Sequence, residues 1–192
     1  MPRQTTPMVV NRKVAVLGFR AVGKTSLTTQ FIEGRFLPDR YDPTIENTYR
    51  KTIRFKKIHF STEIVDTAGM DEYARLSRNA SVGVHGYVMC YSTTSRQSFE
   101  KIKHINDMLL NMLADTPDIP RILVGSMVDL GDQRQVQFEE GQSLADQWGI
   151  PFLECSAKQN LNIAEIFTTL MKEIERDNGL FGEDTGPVCC II

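Results

Sequence analysis

The stretch Gly18-Phe-Arg-Ala-Val-Gly23-Lys24-Thr25 follows the apolar run KVAVL and precedes the helix-forming stretch SLTTQFIEG. A loop bounded by glycines and ending in Lys-Thr, placed between a strand and a helix, is the phosphate-binding loop in the context it requires. Gly18 and Gly23 let the backbone bend so that successive N–H groups turn inward, and the following helix adds its dipole. Lys24 then reaches the β- and γ-phosphates, and the Thr25 hydroxyl ligates Mg²⁺. The contacting set expected from this segment is Gly18, Arg20, Ala21, Val22, Gly23, Lys24, Thr25 and Ser26.

The rest of the chain supplies the sheet such a loop needs. Apolar runs recur at Val14–Gly18, His59–Asp66, Gly86–Tyr91, Ile122–Ser126 and Pro151–Cys155, and most are continuous, as in parallel strands buried on both faces. Tyr49–Phe55 alternates instead and reads as an edge strand hairpinned to the run at His59. Helical periodicity appears in Phe99, Ile102, Ile105, Leu109 and Leu113, and again in Ile163, Ile166, Phe167, Leu170 and Ile174. Strand–helix alternation over 192 residues predicts one doubly wound α/β domain, its sheet mostly parallel with helices on both faces. Residues 1–12 read as a loose arm, 13–176 as the folded domain, and 177–192 as a flexible tail.

Composition excludes several classes. At 41% hydrophobic and 24% charged the chain can build a core, and 22 basic against 24 acidic residues give −2, with no global attraction for nucleic acid. No apolar run is long enough for a membrane span, no signal peptide is read, and position 2 holds no glycine for myristoylation. Cys90, Cys155, Cys189 and Cys190 form neither a disulfide framework nor a zinc pattern, so a reducing compartment is expected. His59, His85 and His104 show no ligand spacing.

The base, the metal and a switch are written at the ends of later runs. Asp66-Thr-Ala-Gly69 closes one strand, where the carboxylate can hold the Mg²⁺ shell and the Gly69 N–H can meet a γ-phosphate oxygen. Thr44, in a polar loop, can ligate the metal only while that phosphate holds it, which makes an order–disorder element. Asp129 follows LVGSMV, where a carboxylate accepts both N1–H and the 2-amino group of guanine; adenine offers no such pair. Ser156, Ala157 and Lys158 end the last strand, with the Ala157 N–H aimed at guanine O6. All stand at the carboxyl ends of strands, where open α/β sheets bind ligands. GTP or GDP is therefore favoured over ATP, and no Arg-rich lid supports a nucleoside kinase.

Together these segments resemble the Ras superfamily of small GTPases over residues 12–176, and most closely its Rheb subfamily. GFRAVGKTSL is similar to the Rheb phosphate loop, with Arg20 where most Ras relatives carry Gly. YDPTIENTY is similar to its effector loop, with Asn47 for Asp, and DTAG-x-DEY to its second switch. The resemblance implies a six-stranded sheet, switch loops around 37–47 and 66–80, Phe36 against the guanine edge, and Tyr41 over the phosphates. It also implies an effector bound through residues 41–49, a kinase complex of the target-of-rapamycin type, and a tuberin-like GTPase-activating protein. A monomer is expected.

Three departures stand out. Met70 occupies the position of the family's water-orienting Gln; having no donor, it predicts very slow intrinsic hydrolysis, against a reading in which it faces solvent in a mobile loop. The catalytic set is thus Lys24, Thr44, Gly69 and Met70, with Thr25, Thr44 and Asp66 on the metal. Ser126-Met127-Val128-Asp129 replaces Asn-Lys-x-Asp, and Ser126 is too short to span phosphate loop and base together, which predicts looser binding and faster exchange. The third departure, Arg20, is expected to be solvated or to crowd an incoming partner residue.

Cys189-Cys190-Ile191-Ile192 fits C-a-a-X, with Cys189 as the prenylated residue; geranylgeranyl, farnesyl and double prenylation all remain open. The acidic segment before it lacks the usual polybasic signal, which predicts weak tethering to endomembranes and a cytosolic pool. Arg50, Lys51, Arg54, Lys56 and Lys57 form a basic run that reads as edge protection or as a contact for anionic lipid. Two functions follow: a tethered GTP/GDP switch that hydrolyses slowly, or a GTP-loaded scaffold that no longer cycles.

Overall fold

The computed structural model describes residues 8–36, 43–55, 58–71, 76–113 and 118–177. Six strands, β1 (Met8–Gly18), β2 (Glu46–Phe55), β3 (Ile58–Thr67), β4 (Gly86–Ser92), β5 (Arg121–Ser126) and β6 (Phe152–Glu154), form one sheet in the order β2-β3-β1-β4-β5-β6. Only β2 runs antiparallel, against β3, as its alternating pattern requires; all other pairs are parallel. The α-helices among the described residues are α1 (Lys24–Glu33), α2 (Arg96–Met112), α3 (Phe138–Trp148) and α4 (Ile163–Asp177).

The continuous apolar runs follow from burial on both faces. Val14 and Val16 of β1 pack with Leu27 and Phe31 of α1 and with Phe167 and Leu170 of α4 in one core. Their neighbours Ala15 and Leu17 join Ile102 and Ile105 of α2 and Leu144 of α3 in the other. Phe31 and Phe167 stack at 4.0 Å between centroids, which locks α1 to α4. Strand β1 has β3 on one side and β4 on the other. The sheet order therefore reverses at its carboxyl end, and a crevice opens there.

One boundary differs from the sequence reading. Residues 8–12, assigned above to a loose arm, are strand and pair with 58–62 of β3. The polar Asn11 and Arg12 interrupt the apolar run between Val10 and Val14 and hid this. Arg12 is held by Glu175, whose carboxylate accepts bonds of 2.6 and 3.1 Å from its guanidinium. The rest of the expected arm, residues 1–7, and residues 178–192 of the expected tail lie outside the described residues.

Candidate functional site

The loop from Gly18 to Lys24 closes the crevice at the end of β1. A Cβ on Gly18 would stand 2.2 Å from the Cys90 carbonyl oxygen on β4, so only glycine fits there. Gly23 (φ 86°) and Ala21 (φ 58°) take left-handed backbone, which folds the loop around a hollow. Lys24 is buried, and its Nζ donates to the carbonyls of Gly18 (3.0 Å) and Phe19 (2.9 Å). An ammonium has three protons, so one is left for a ligand. Burial pushes its pKa down, against the pull of Cys90 and Asp66. Helix α1 has no acidic residue in its first turn and no side-chain cap, leaving its N-terminal amides for an anion. Arg20 is exposed, and its guanidinium lies 5.3 Å from the Phe19 ring.

Beside this cup lies a donor set for a hard cation. The Thr25 and Thr44 hydroxyl oxygens are 2.8 Å apart, which brings the residue after the phosphate-loop lysine against the polar loop. Asp66 is buried with no hydrogen bond to either carboxylate oxygen among the described residues. Burial raises its pKa, while the nearby Thr25 hydroxyl and Lys24 ammonium lower it. Orphaned buried carboxylates are costly unless a charge meets them. Two hydroxyls and a carboxylate, completed by water and phosphate oxygens, suit Mg²⁺.

A cleft of about 290 Å³ continues from the cup, lined by Gly23, Ser26, Leu27, Phe36, Ser126, Met127, Asp129, Leu130, Cys155, Ala157 and Lys158. The expected base-binding residues Phe36, Ser126, Asp129, Ala157 and Lys158 thus converge; Leu130 joins them without a sequence signal. Ser126 does reach the phosphate loop: its Oγ lies 2.6 Å from the Val22 carbonyl oxygen and 2.9 Å from that of Tyr91. Its single proton is committed to these carbonyls, so none remains for a base. Met127 takes left-handed backbone (φ 64°) and brings its Cε to 3.5 Å from the place a Cβ on Gly23 would occupy.

Ser156 has a different place from the one read in the sequence. Its hydroxyl donates to Asp129 Oδ1 at 2.6 Å and accepts the Gln159 N–H at 3.0 Å, so it aims the carboxylate rather than lining the cleft. Two further residues went unread. Thr93 donates from both its N–H and its hydroxyl to the Ser126 carbonyl. Asn162, with φ 57°, donates to the Glu154 carbonyl and turns the loop carrying Ala157. A left-handed asparagine after a strand is the only signal the sequence held for it.

Met70 corrects the reading in which it faces solvent in a mobile loop. It neither faces solvent nor borders the cleft; it is 4% exposed and packs into the core under α2, near Ile105 and Met108. An apolar thioether gains more there than beside a polar phosphate. Its N–H donates to the Gly18 carbonyl at 3.0 Å, and a Cβ on the preceding Gly69 would stand 2.5 Å from Arg20 Cα. The second switch therefore begins flush against the phosphate loop. Tyr41, expected over the phosphates, and Cys189 lie outside the described residues.

The family model for the Ras family matches residues 13–176, the whole span that carries the cup, the cation donors and the base cleft. The chain belongs to the Ras family. Its relatives place it with the Rheb GTPases. It is 45% identical to the GTP-binding protein Rheb homolog of Dictyostelium discoideum, over 92% of this chain and 91% of that protein. It is equally identical to the GTP-binding protein rhb1 of Schizosaccharomyces pombe (95% and 98% covered) and to the GTP-binding protein Rheb of Homo sapiens (90% and 93%). The chain is accordingly a Rheb-like small GTPase that binds guanine nucleotide and hydrolyses GTP to GDP.

Proposed function

We propose that this Ras-family GTPase is a Mg²⁺-dependent switch with slow intrinsic hydrolysis, tethered to membranes and signalling to a kinase complex of the target-of-rapamycin type. The observation that carries it is the orphaned Asp66 carboxylate beside the Thr25–Thr44 hydroxyl pair and Lys24. Thr25, Thr44 and Asp66 would hold the metal, which supplies charge neutralisation across the β- and γ-phosphate oxygens. Lys24 offers its remaining proton to those oxygens, and the uncapped α1 amides and the Gly69 N–H would supply further donors. Water attacks the γ-phosphorus, the bond to the GDP oxygen breaks, and phosphate leaves. With Met70 in the core, residue 70 places no donor or acceptor on that water, so the step relies on positioning and charge alone.

Thr44 couples this chemistry to recognition. Next to it, Ile45 is 89% exposed, and Asn47 and Thr48 at the start of β2 are exposed as well. An apolar side chain held out beside a phosphate-dependent ligand suits an effector that reads residues 41–49 only in the GTP state. An activating protein that brings its own polar residue would bypass the silent position 70. Prenylation at Cys189 completes the reading as a weak tether on the cytoplasmic face of endomembranes. Single-turnover hydrolysis with and without Mg²⁺ tests the proposal: slow, metal-dependent phosphate release supports it. Release that does not depend on the metal contradicts it, and no release at all favours the non-cycling scaffold.

A further inference from the structure

We propose that the open half of the sheet face formed by β2, β3 and the start of β1 is a docking surface for an anionic lipid bilayer. In register, Arg50, Thr52 and Arg54 of β2 stand beside Glu63, Ser61 and His59 of β3. These in turn stand beside Lys13, Asn11 and Val9 of β1. Farther along the same face Ala15, Leu17 and Val65 are buried in the core with α2. No described helix covers the outer half, where Arg50, Thr52, Arg54, Val9 and Asn11 are all exposed.

The charge on this face is one-sided. Glu63 is the only acid of its outer half among the described residues and is shared by Arg50 at 3.2 Å and Lys13 at 3.6 Å, while Glu46, farther along β2, is bonded to Ser77 and Asn79. Arg54 has no ion pair among the described residues, and the sequence continues into Lys56-Lys57. Lys51 does not belong to the patch. It points to the other face and donates to the Phe31 and Ile32 carbonyls at the end of α1. Val9, 63% exposed, adds an apolar side chain among the cations, a combination that suits the boundary between headgroups and acyl chains.

The place where the tail leaves the domain selects a bilayer over an acidic protein. The buried Glu175 on the last turn of α4 is clamped to Arg12, so that helix lies across the sheet from the patch but ends at the same outer end of β1. From there the chain runs on toward Cys189. A lipid on that residue, as in the function proposed above, draws this end of the molecule to the membrane. The phosphate cup lies at the far end of β1, and Ile45 at the far end of β2, about 30 Å away along the strand. Docking by this face leaves both open to the cytosol.

The test uses the unlipidated full chain loaded with GDP, so that the fate of Cys189 does not enter. Sedimentation with phosphatidylserine-containing vesicles should exceed that with pure phosphatidylcholine and fall at high salt. Each exposed basic residue strengthens such partitioning roughly fivefold, so Arg50→Gln/Arg54→Gln should lose roughly 25-fold while retaining GDP. Glu63→Gln should gain, and Lys103→Gln on α2 should change nothing. Equal binding to neutral vesicles, an unaffected double variant, or capture by polyglutamate or nucleic acid without binding to phosphatidylserine overturns the proposal.

Discussion

The hydroxyl of Ser126 lies 2.6 Å from the Val22 carbonyl oxygen and ties the end of β5 to the phosphate loop with one short side chain. The bridge survives the loss of the longer asparagine expected at this position, but its proton is used up on backbone. Ser126→Ala removes the hydroxyl donor from the Val22 carbonyl, leaving it the weak Cys90 thiol at 3.7 Å, and should lower stability by about 1 kcal/mol and speed GDP release. Ser126→Asn should slow release several-fold by restoring a donor toward the base. Fluorescent-nucleotide exchange measures both, and faster release from the Asn variant contradicts the assignment.

Asp129 and Ser156 have separable roles. Removing the carboxylate strips guanine of its two-donor acceptor, so Asp129→Ala should weaken GTP by about 2–3 kcal/mol and nearly equalise GTP and ATP. Ser156→Ala only frees the carboxylate to rotate. It should weaken GTP by about 1 kcal/mol with the preference over ATP intact. Competition titrations distinguish the two, and a Ser156→Ala variant that loses base preference would place its hydroxyl on the base after all.

Met70→Gln exchanges a core thioether for an amide. Burying that amide without a partner costs ~1–3 kcal/mol, which favours its turning out toward the γ-phosphate. Single-turnover hydrolysis should accelerate while GTP affinity holds. An unchanged rate removes residue 70 from the chemistry.

The buried Asp66 carboxylate makes the empty protein sensitive to pH. Burial raises its folded pKa above the ordinary 3.8, so the folded state holds the proton more tightly than the unfolded one. Its contribution to stability is full below 3.8 and is lost as pH rises through the raised value. Nucleotide-free, metal-free protein should thus melt lower as pH rises across that window, and Asp66→Asn should flatten the dependence. Thermal melts in EDTA at stepped pH report it; identical profiles for the two proteins would refute the coupling.

Glu175 has no exposure and its only described ion pair is with Arg12. Arg12→Ala should therefore destabilise by about 3–5 kcal/mol by leaving a carboxylate buried alone, with Arg12→Ala/Glu175→Leu recovering part of the loss. Denaturant titration measures this, and a loss under about 0.5 kcal/mol would match a surface pair instead.

These residues also mark where the sequence was legible. The cup, the cation donors and Asp129 could be read because each is a residue type fixed to the end of a strand, and the chemistry is local. The bridge from Ser126 to Val22 could not, since it depends on two loops 104 positions apart being brought together by the sheet. Met70 was misread because its neighbours along the chain are polar, while its neighbours in space are the apolar side of α2. Residues 8–12 were misread because neither face carries an unbroken apolar pattern: Val9 is followed by Asn11 on the open side, and Val10 by Arg12 on the covered one.

The most direct test is equilibrium binding of GTP and ATP to the purified chain, with Mg²⁺ and with EDTA, for wild type and Lys24→Ala. GTP should bind wild type tightly in Mg²⁺ and more than about tenfold weaker under chelation. ATP should fail to compete, and Lys24→Ala should lose most of the affinity. Equal competition by ATP, or affinity indifferent to both the metal and Lys24, contradicts the account.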